Sequence, residues 1–151
     1  MKIFIGADHR GFELKAKIVK LLKSLGHTVE DVGTYDKEAC DYPEFSLKVA
    51  RGVISNEGSR GILVCMSGIG HTIAANKVKG VYAALCYNKD AAMLSRQHNN
   101  ANVLVLSAKY VPRQELDEII KIWLSTEFEG GRHERRINKI KEIEEGLGIK
   151  E

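Results

Sequence analysis

Short apolar runs alternate with longer amphipathic stretches from the first residues to about residue 125. No other feature of the chain restricts its fold as much. Lys2–Ala7 (KIFIGA) reads as a buried strand. Phe12, Leu14, Ile18, Leu21, Leu22 and Leu25 then recur at helical spacing, and Gly26 follows as a stop. His27–Val32 is the second strand candidate. Pro43 opens a helix running to about Asn56, because proline suits the first helical turn. Gly61–Cys65 (GILVC), Val81–Cys86 and Val103–Ser107 (VLVLS) read as the third, fourth and fifth strands. Ile69–Lys77, Asp90–His98 and a segment opened by Pro112 read as helices. The last of these carries Leu116, Ile119, Ile120, Trp123 and Leu124 on one side.

Strands alternating with helices predict a parallel sheet covered on both faces, and nearly all-apolar strands agree with burial on two sides. The expected fold class is therefore α/β. It is a Rossmann-like three-layer α/β/α sandwich on a five-stranded parallel sheet, with an extra C-terminal helix. No repeat or low-complexity linker interrupts the 151 residues, so one domain over 1–151 is expected. The tail, 130–151, stands apart. Gly130–Gly131 break the chain, and a charged helix follows from about Arg132 to Glu145. Ile137, Ile140, Ile143 and Leu147 form a thin apolar stripe on it. Such a stripe suits docking, either on a second copy of the chain or on its own subunit.

Composition removes several classes. The net charge of +3 comes from basic residues mixed with acidic ones, which argues against a nucleic-acid partner. No apolar run approaches the roughly 20 residues that span a bilayer, and MKIFIGADHRG does not have the form of a secretory signal. The three cysteines, Cys40, Cys65 and Cys86, are odd in number and form no CxxC pair. Neither a disulfide framework nor a zinc site is suggested, and a reducing cytoplasm is expected. No H-E-x-x-H or clustered carboxylate–histidine spacing points to a metal.

Ligands of open parallel sheets bind beyond the carboxyl ends of the strands. The first strand ends in Ala7-Asp8-His9-Arg10-Gly11 and the third in Cys65-Met66-Ser67-Gly68-Ile69-Gly70-His71. His98 and Asn99, before the fifth strand, are assigned to the same region. Gly68 and Gly70 allow backbone N–H groups to converge on an anion. The same groups, with a helix start, are expected to favour thiolate at Cys65. A thiolate beside an anion hole suits removal of a proton next to a carbonyl, since the enolate oxygen is then stabilised; the loop alone reads equally well with Cys65 as a buried small hydrophobe, as free cysteines usually are. Two other readings of the loop fit poorly. Gly68-x-Gly70 lacks the third glycine of a dinucleotide fingerprint and follows the wrong strand. A C-x5-R phosphatase loop would need arginine where His71 stands. Asp8 and His9 read either as an acid–base pair or as a capped turn. Arg132 and Arg136, four apart, share a helix face that is either a phosphate clamp or a solvated surface.

Taken together, IGADHRGFELK, DYPEF (Asp41–Phe45), VCMSGIGHTIAANK (Val64–Lys77), RQHNNANVL (Arg96–Leu104) and FEGGRHERR (Phe128–Arg136) resemble the type B ribose-5-phosphate isomerase family. That family also contains the galactose-6-phosphate isomerase subunits. The resemblance implies an aldose–ketose isomerase acting on a phosphorylated sugar through a cis-enediolate. It also implies a metal-independent site, without cofactor, between the subunits of a homodimer or homotetramer. By the same resemblance Cys65 is the base, Ser67 shuttles the oxygen-bound proton, and the N–H groups of Ser67, Gly68, Ile69 and Gly70 form the anion hole. His98 opens the furanose ring, and Asp8, Asn99 and Tyr42 contact the sugar. His9, Arg132 and Arg136 hold the phosphate, with Lys109 where some members carry a further arginine. The loop departs from the family form C-G-T-G-x-G-M in three places. Met66 replaces glycine, which requires that position to be unstrained with a side chain; Ser67 replaces threonine; and His71 replaces methionine. In the subfamily lacking the cysteine, a glutamate acts as base at the position of His71; a histidine there could tune the Cys65 thiolate, contact the sugar or merely be tolerated, and it is counted among the substrate-binding residues in a supporting role. These departures leave a six-carbon sugar phosphate (allose or galactose 6-phosphate) as an alternative substrate, and a silent sugar-phosphate-binding module as an alternative function.

Overall fold

The computed structural model describes residues 1–146. Five parallel strands form one sheet in the order β2-β1-β3-β5-β4. They are β1 (Lys2–Ala7), β2 (Thr28–Asp31), β3 (Arg60–Cys65), β4 (Ala83–Leu85) and β5 (Val103–Ser107). The helices are α1 (Phe12–Ser24), α2 (Tyr42–Ser55), α3 (Ile69–Ala75), α4 (Lys89–Gln97), α5 (Leu116–Ser125) and α6 (Arg132–Glu144).

The period-two alternation of β-strands divides the core into two faces. Ile3, Ile5, Ala7, Ile62, Val64, Leu104 and Leu106 pack with Leu14, Ile18 and Leu22 of α1, Ala92 of α4, and Ile119, Ile120 and Trp123 of α5. The intervening Phe4, Leu63, Val103 and Val105 face Val49, Ala50 and Val53 of α2 and Ala75 of α3. The three-layer sandwich is as expected. The strands are not uniformly apolar, however. β2 reads TVED and is alternately half-buried and exposed, because it is an edge strand with α1 on one side only. β4, the other edge, is three half-buried residues rather than Val81–Cys86. Pro112 does not start α5 directly; it precedes a 3-10 turn at Arg113–Glu115 that leads into the helix.

One buried charge ties the sheet edge to the loop before α2. Lys15, 1% exposed, donates from Nζ to Asp31 Oδ1 and to the Thr34 carbonyl, both at 2.5 Å. A buried ammonium is tolerable only with such partners. The C-terminal helix lies near the β4 edge: Glu144 accepts from Gly80 N–H and from Tyr82 Oη–H. His133 and Ile137 are its buried residues, and Ile140 and Ile143 stay exposed. Leu147, the fourth member of the expected stripe, lies outside the described residues. No helix among the described residues is long and apolar enough to cross a membrane.

Candidate active site

The connection after β1 runs through α1 on one face of the sheet, and that after β3 runs through α3 on the other. The two chains part at the carboxyl ends of adjacent strands, which opens a crevice there. Ala7 pairs with Val64 in register, so Asp8 and Cys65 emerge side by side. The Cys65 thiol donates to Asp8 Oδ2 at 3.2 Å. Asp8 Oδ1 accepts the N–H groups of Arg10 and Gly11, each at 3.0 Å. One carboxylate oxygen closes the turn into α1, as in the capped-turn reading, and the other faces the thiol.

This arrangement reverses the expectation of a resting thiolate. Burial first, then the hydrogen bond and negative charge of Asp8, push the Cys65 thiol up to about 11. The N–H groups of Met66 and Gly68 act in the other direction and are outweighed. In the single chain Cys65 is a protonated, nearly buried thiol.

The loop after β3 is held from several sides. Ala108 N–H donates to the Cys65 carbonyl, and Lys109 N–H and Ser107 Oγ–H donate to that of Met66. These bonds place Lys109 at the same end of the sheet as Cys65. Tyr87 Oη–H donates to the Ser67 carbonyl, and Ser67 Oγ accepts Ile69 N–H at 3.2 Å. Gly68 has φ +86°, and a Cβ there would stand 2.5 Å from Leu85 Cδ1, so only glycine fits. Met66 needs no such freedom: among the described residues Asn100 is the one non-glycine at positive φ. Tyr42 covers Gly70 so closely that a Cβ would fall 2.5 Å from its Cζ. His9 Nδ1 accepts Cys40 N–H at 3.3 Å, which leaves the ring proton on Nε2, available to an anion. Asp8, His9, Tyr42, Cys65, Ser67, Gly68, Ile69, Gly70 and Lys109 thus share one end of the sheet.

His71 does not join them as a substrate contact. It is fully buried. Its Nε2 is 3.2 Å from the Val64 carbonyl, and its Nδ1 is 2.6 Å from Ser46 Oγ. A carbonyl only accepts, so Nε2 carries the proton and Ser46 donates to Nδ1. Burial holds the ring down to about 4, so it stays neutral and bonds α3 to α2 and β3. The expectation that His71 faces substrate is corrected: a histidine at this spot is a satisfied core residue.

The remaining site residues lie elsewhere. His98 follows α4 and precedes β5, which places it at the amino end of that strand. β5 spans five residues, so roughly 16 Å of sheet separates the two ends. The assignment of His98 and Asn99 to the carboxyl-end region is therefore corrected by chain direction. The His98 ring stacks on His133, with centroids 4.1 Å apart and planes 10° apart. His133 is buried, and its Nε2 lies 3.5 Å from Glu129 Oε2 without a hydrogen-bond partner among the described residues. Burial, then the His98 ring, hold His133 below the ordinary imidazole range. Arg132 and Arg136 are exposed on α6, in no ion pair among the described residues. Ligand atoms of His98, Glu129 and His133 come within 4.8 Å of one another. Parallel rings send their lone pairs along parallel lines, so the stack would have to open before these residues shared an ion.

Sequence reasoning passed over His133, Glu129 and Ser46. The spacing of four between Glu129 and His133 was the only available signal, and ring stacking leaves none.

Comparison with known proteins adds four findings. A family model described as Ribose/Galactose Isomerase matches residues 3–140. Ribose-5-phosphate isomerase B of Escherichia coli (strain K12) is 43% identical over 144 residues, covering 95% of this chain and 97% of that protein. Among solved structures, Clostridium thermocellum ribose-5-phosphate isomerase B superposes with TM-score 0.95 at 49% identity, covering 98% of this chain and all (100%) of that one. The Mycoplasma genitalium ribose-5-phosphate isomerase B with bound ribulose-5-phosphate superposes with TM-score 0.92 at 46% identity, covering 95% and 96%.

Proposed function

The chain belongs to the Ribose/Galactose Isomerase family, and we propose that it interconverts D-ribose 5-phosphate and D-ribulose 5-phosphate in a site that two copies of the chain build together. The observation that carries this reading is the division of the site. Proton-transfer groups stand at the carboxyl ends of β1 and β3, and His98, Asn99 and the exposed arginines stand at the other end of the sheet. A two-fold arrangement brings opposite ends together twice, giving two complete sites per dimer.

Apolar surface adjoins both halves. Ile69 and Ile73, four apart on α3 beside the Cys65 loop, are 53% and 58% exposed. Beside the His98 half, Val81, Tyr82, Ile137, Ile140 and Ile143 line a groove of about 370 Å³. The tail helix enters the interface through this groove, and burying such faces supplies association energy.

In this reading each residue takes a role. Arg132 and Arg136 of one copy, with His9 and Lys109 of the other, hold the phosphate. His98 moves the proton that opens the furanose ring, and Asp8, Tyr42 and Asn99 bind sugar hydroxyls. Cys65 takes the proton from carbon 2 and returns it to carbon 1. Ser67 carries the proton between the two oxygens, and the amides of Ser67, Gly68, Ile69 and Gly70 bear the enediolate charge. The resting thiol must first lose its proton to solvent, and the arginines of the second copy bring the positive potential a single chain lacks. Burial of His71 removes one reason to expect a six-carbon substrate, because that loop change does not face the sugar. Cytoplasmic residence accompanies this reading.

Mixing two inactive variants tests it. Cys65→Ala and His98→Asn chains, co-refolded in equal amounts, form mixed dimers in which one of two sites is whole. The expected recovery is about a quarter of wild-type activity. No recovery, with mixed dimers demonstrated, would reject the shared site.

A further inference from the structure

We propose that His133 is a positioning residue for His98. Stacked on it and backed by Glu129, the His133 ring fixes the plane in which the His98 imidazole meets the ring oxygen of the sugar. The inference rests on the reading that His98 opens the furanose.

The packing leaves His133 little other work. Its ring is buried at the start of α6, yet its Nε2 makes no hydrogen bond among the described residues. A buried nitrogen held only by a carboxylate 3.5 Å away is poorly satisfied, so an apolar residue would serve simple packing better. What the ring does contact is His98, face to face at 4.1 Å. Both partners are fixed to a common frame. Glu129 N–H donates to the Gln97 carbonyl, one residue before His98, at 3.1 Å, and His133 N–H donates to the Gly130 carbonyl. Gly130 and Gly131, both at positive φ, fold the chain back so that residue 133 returns over residue 98. The Glu129 carboxylate, 3.5 Å from Nε2, stands at the far edge of the pair.

A half-buried imidazole at a helix end otherwise rotates about its χ2 torsion, which is broad for this ring. Proton transfer to a sugar oxygen requires an aligned nitrogen, and a misplacement of about 1 Å costs on the order of 100-fold. A stacked aromatic plane removes that freedom while leaving the edge of His98 open to substrate.

The test separates ring opening from isomerisation. In a Cys65→Ala background, carbon chemistry is silenced but His98 still exchanges the α and β anomers of ribose 5-phosphate. Exchange NMR in the cold, where spontaneous anomerisation is slow, reads that rate. Adding His133→Ala is expected to lower the enzyme-catalysed rate by about 10- to 100-fold. His133→Phe, which keeps a stacking plane without the nitrogens, is expected to restore it to within a few-fold. Phosphate binding, measured with inorganic phosphate, should change little in either variant. An unchanged rate in His133→Ala overturns the proposal, as does failure of phenylalanine to rescue in a dimer that still binds phosphate. Loss of anomer exchange in His98→Asn supports the underlying reading. Its persistence there removes that reading and the inference with it.

Discussion

Replacing Asp8 by asparagine isolates what the carboxylate does to the thiol beside it. In the single wild-type chain the Cys65 thiol is pushed up to about 11 from an ordinary 9.0. At pH 8 this leaves about one thiolate in a thousand, against about one in ten for an ordinary thiol. The introduced amide keeps an Oδ1 for the N–H groups of Arg10 and Gly11, so the turn into α1 survives. Its Nδ2 then faces the sulfur with a donor where an acceptor stood. Burial, the largest contribution, is unchanged, so the inflection should fall between the two values. Labelling at pH 8 should rise about tenfold. Iodoacetamide alkylation of the Cys65 peptide, followed by mass spectrometry from about pH 6.5 to 11.5, measures both quantities. The position of the inflection does not depend on how accessible the sulfur is. The arginines of a second copy act on wild type and variant alike, so the difference between the two inflections carries the test. An Asp8→Asn profile that stays put or moves up would refute the reasoning.

Two further outcomes concern stability. His71 is held to about 4 in the folded chain and has an ordinary value of 6.5, so the unfolded chain takes the proton first. Stability is complete above pH 6.5 and falls by about 3 kcal/mol as the pH drops to 4; His71→Met should flatten that limb in urea titrations. Identical acid limbs would show that the ring is not buried neutral. Gly68→Ala puts a side chain on a left-handed backbone, which costs about 1–2 kcal/mol, while the Leu85 Cδ1 it meets ends a flexible side chain that can turn aside. A change under about 0.5 kcal/mol would contradict that expected loss.

The central strands were legible because burial on both faces makes β1, β3 and β5 continuously apolar. The edges were less so. β2 carries charge on its open face, and β4 is too short for its pattern to mark its ends. That β5 lies inside β4 is a matter of crossovers, which leave no periodicity. At the site, the glycines and Cys65 announced themselves. The Asp8–Cys65 contact depends on strand register, and it sets the thiol's protonation against what the loop amides alone suggested. The place of His98 was within reach of reasoning, since a residue just before a parallel strand sits at its amino end. The stack with His133 was not, because it arises from a glycine turn that folds two distant segments together.

Solvent deuterium uptake at carbon 2 of ribose 5-phosphate, compared between wild type and Cys65→Ala, bears most directly on the sulfur's role. Variant dimers that still bind the sugar phosphate should lose exchange and isomerisation together, by about a thousandfold or more. Uptake near the wild-type rate in those dimers would mean that another group removes the proton.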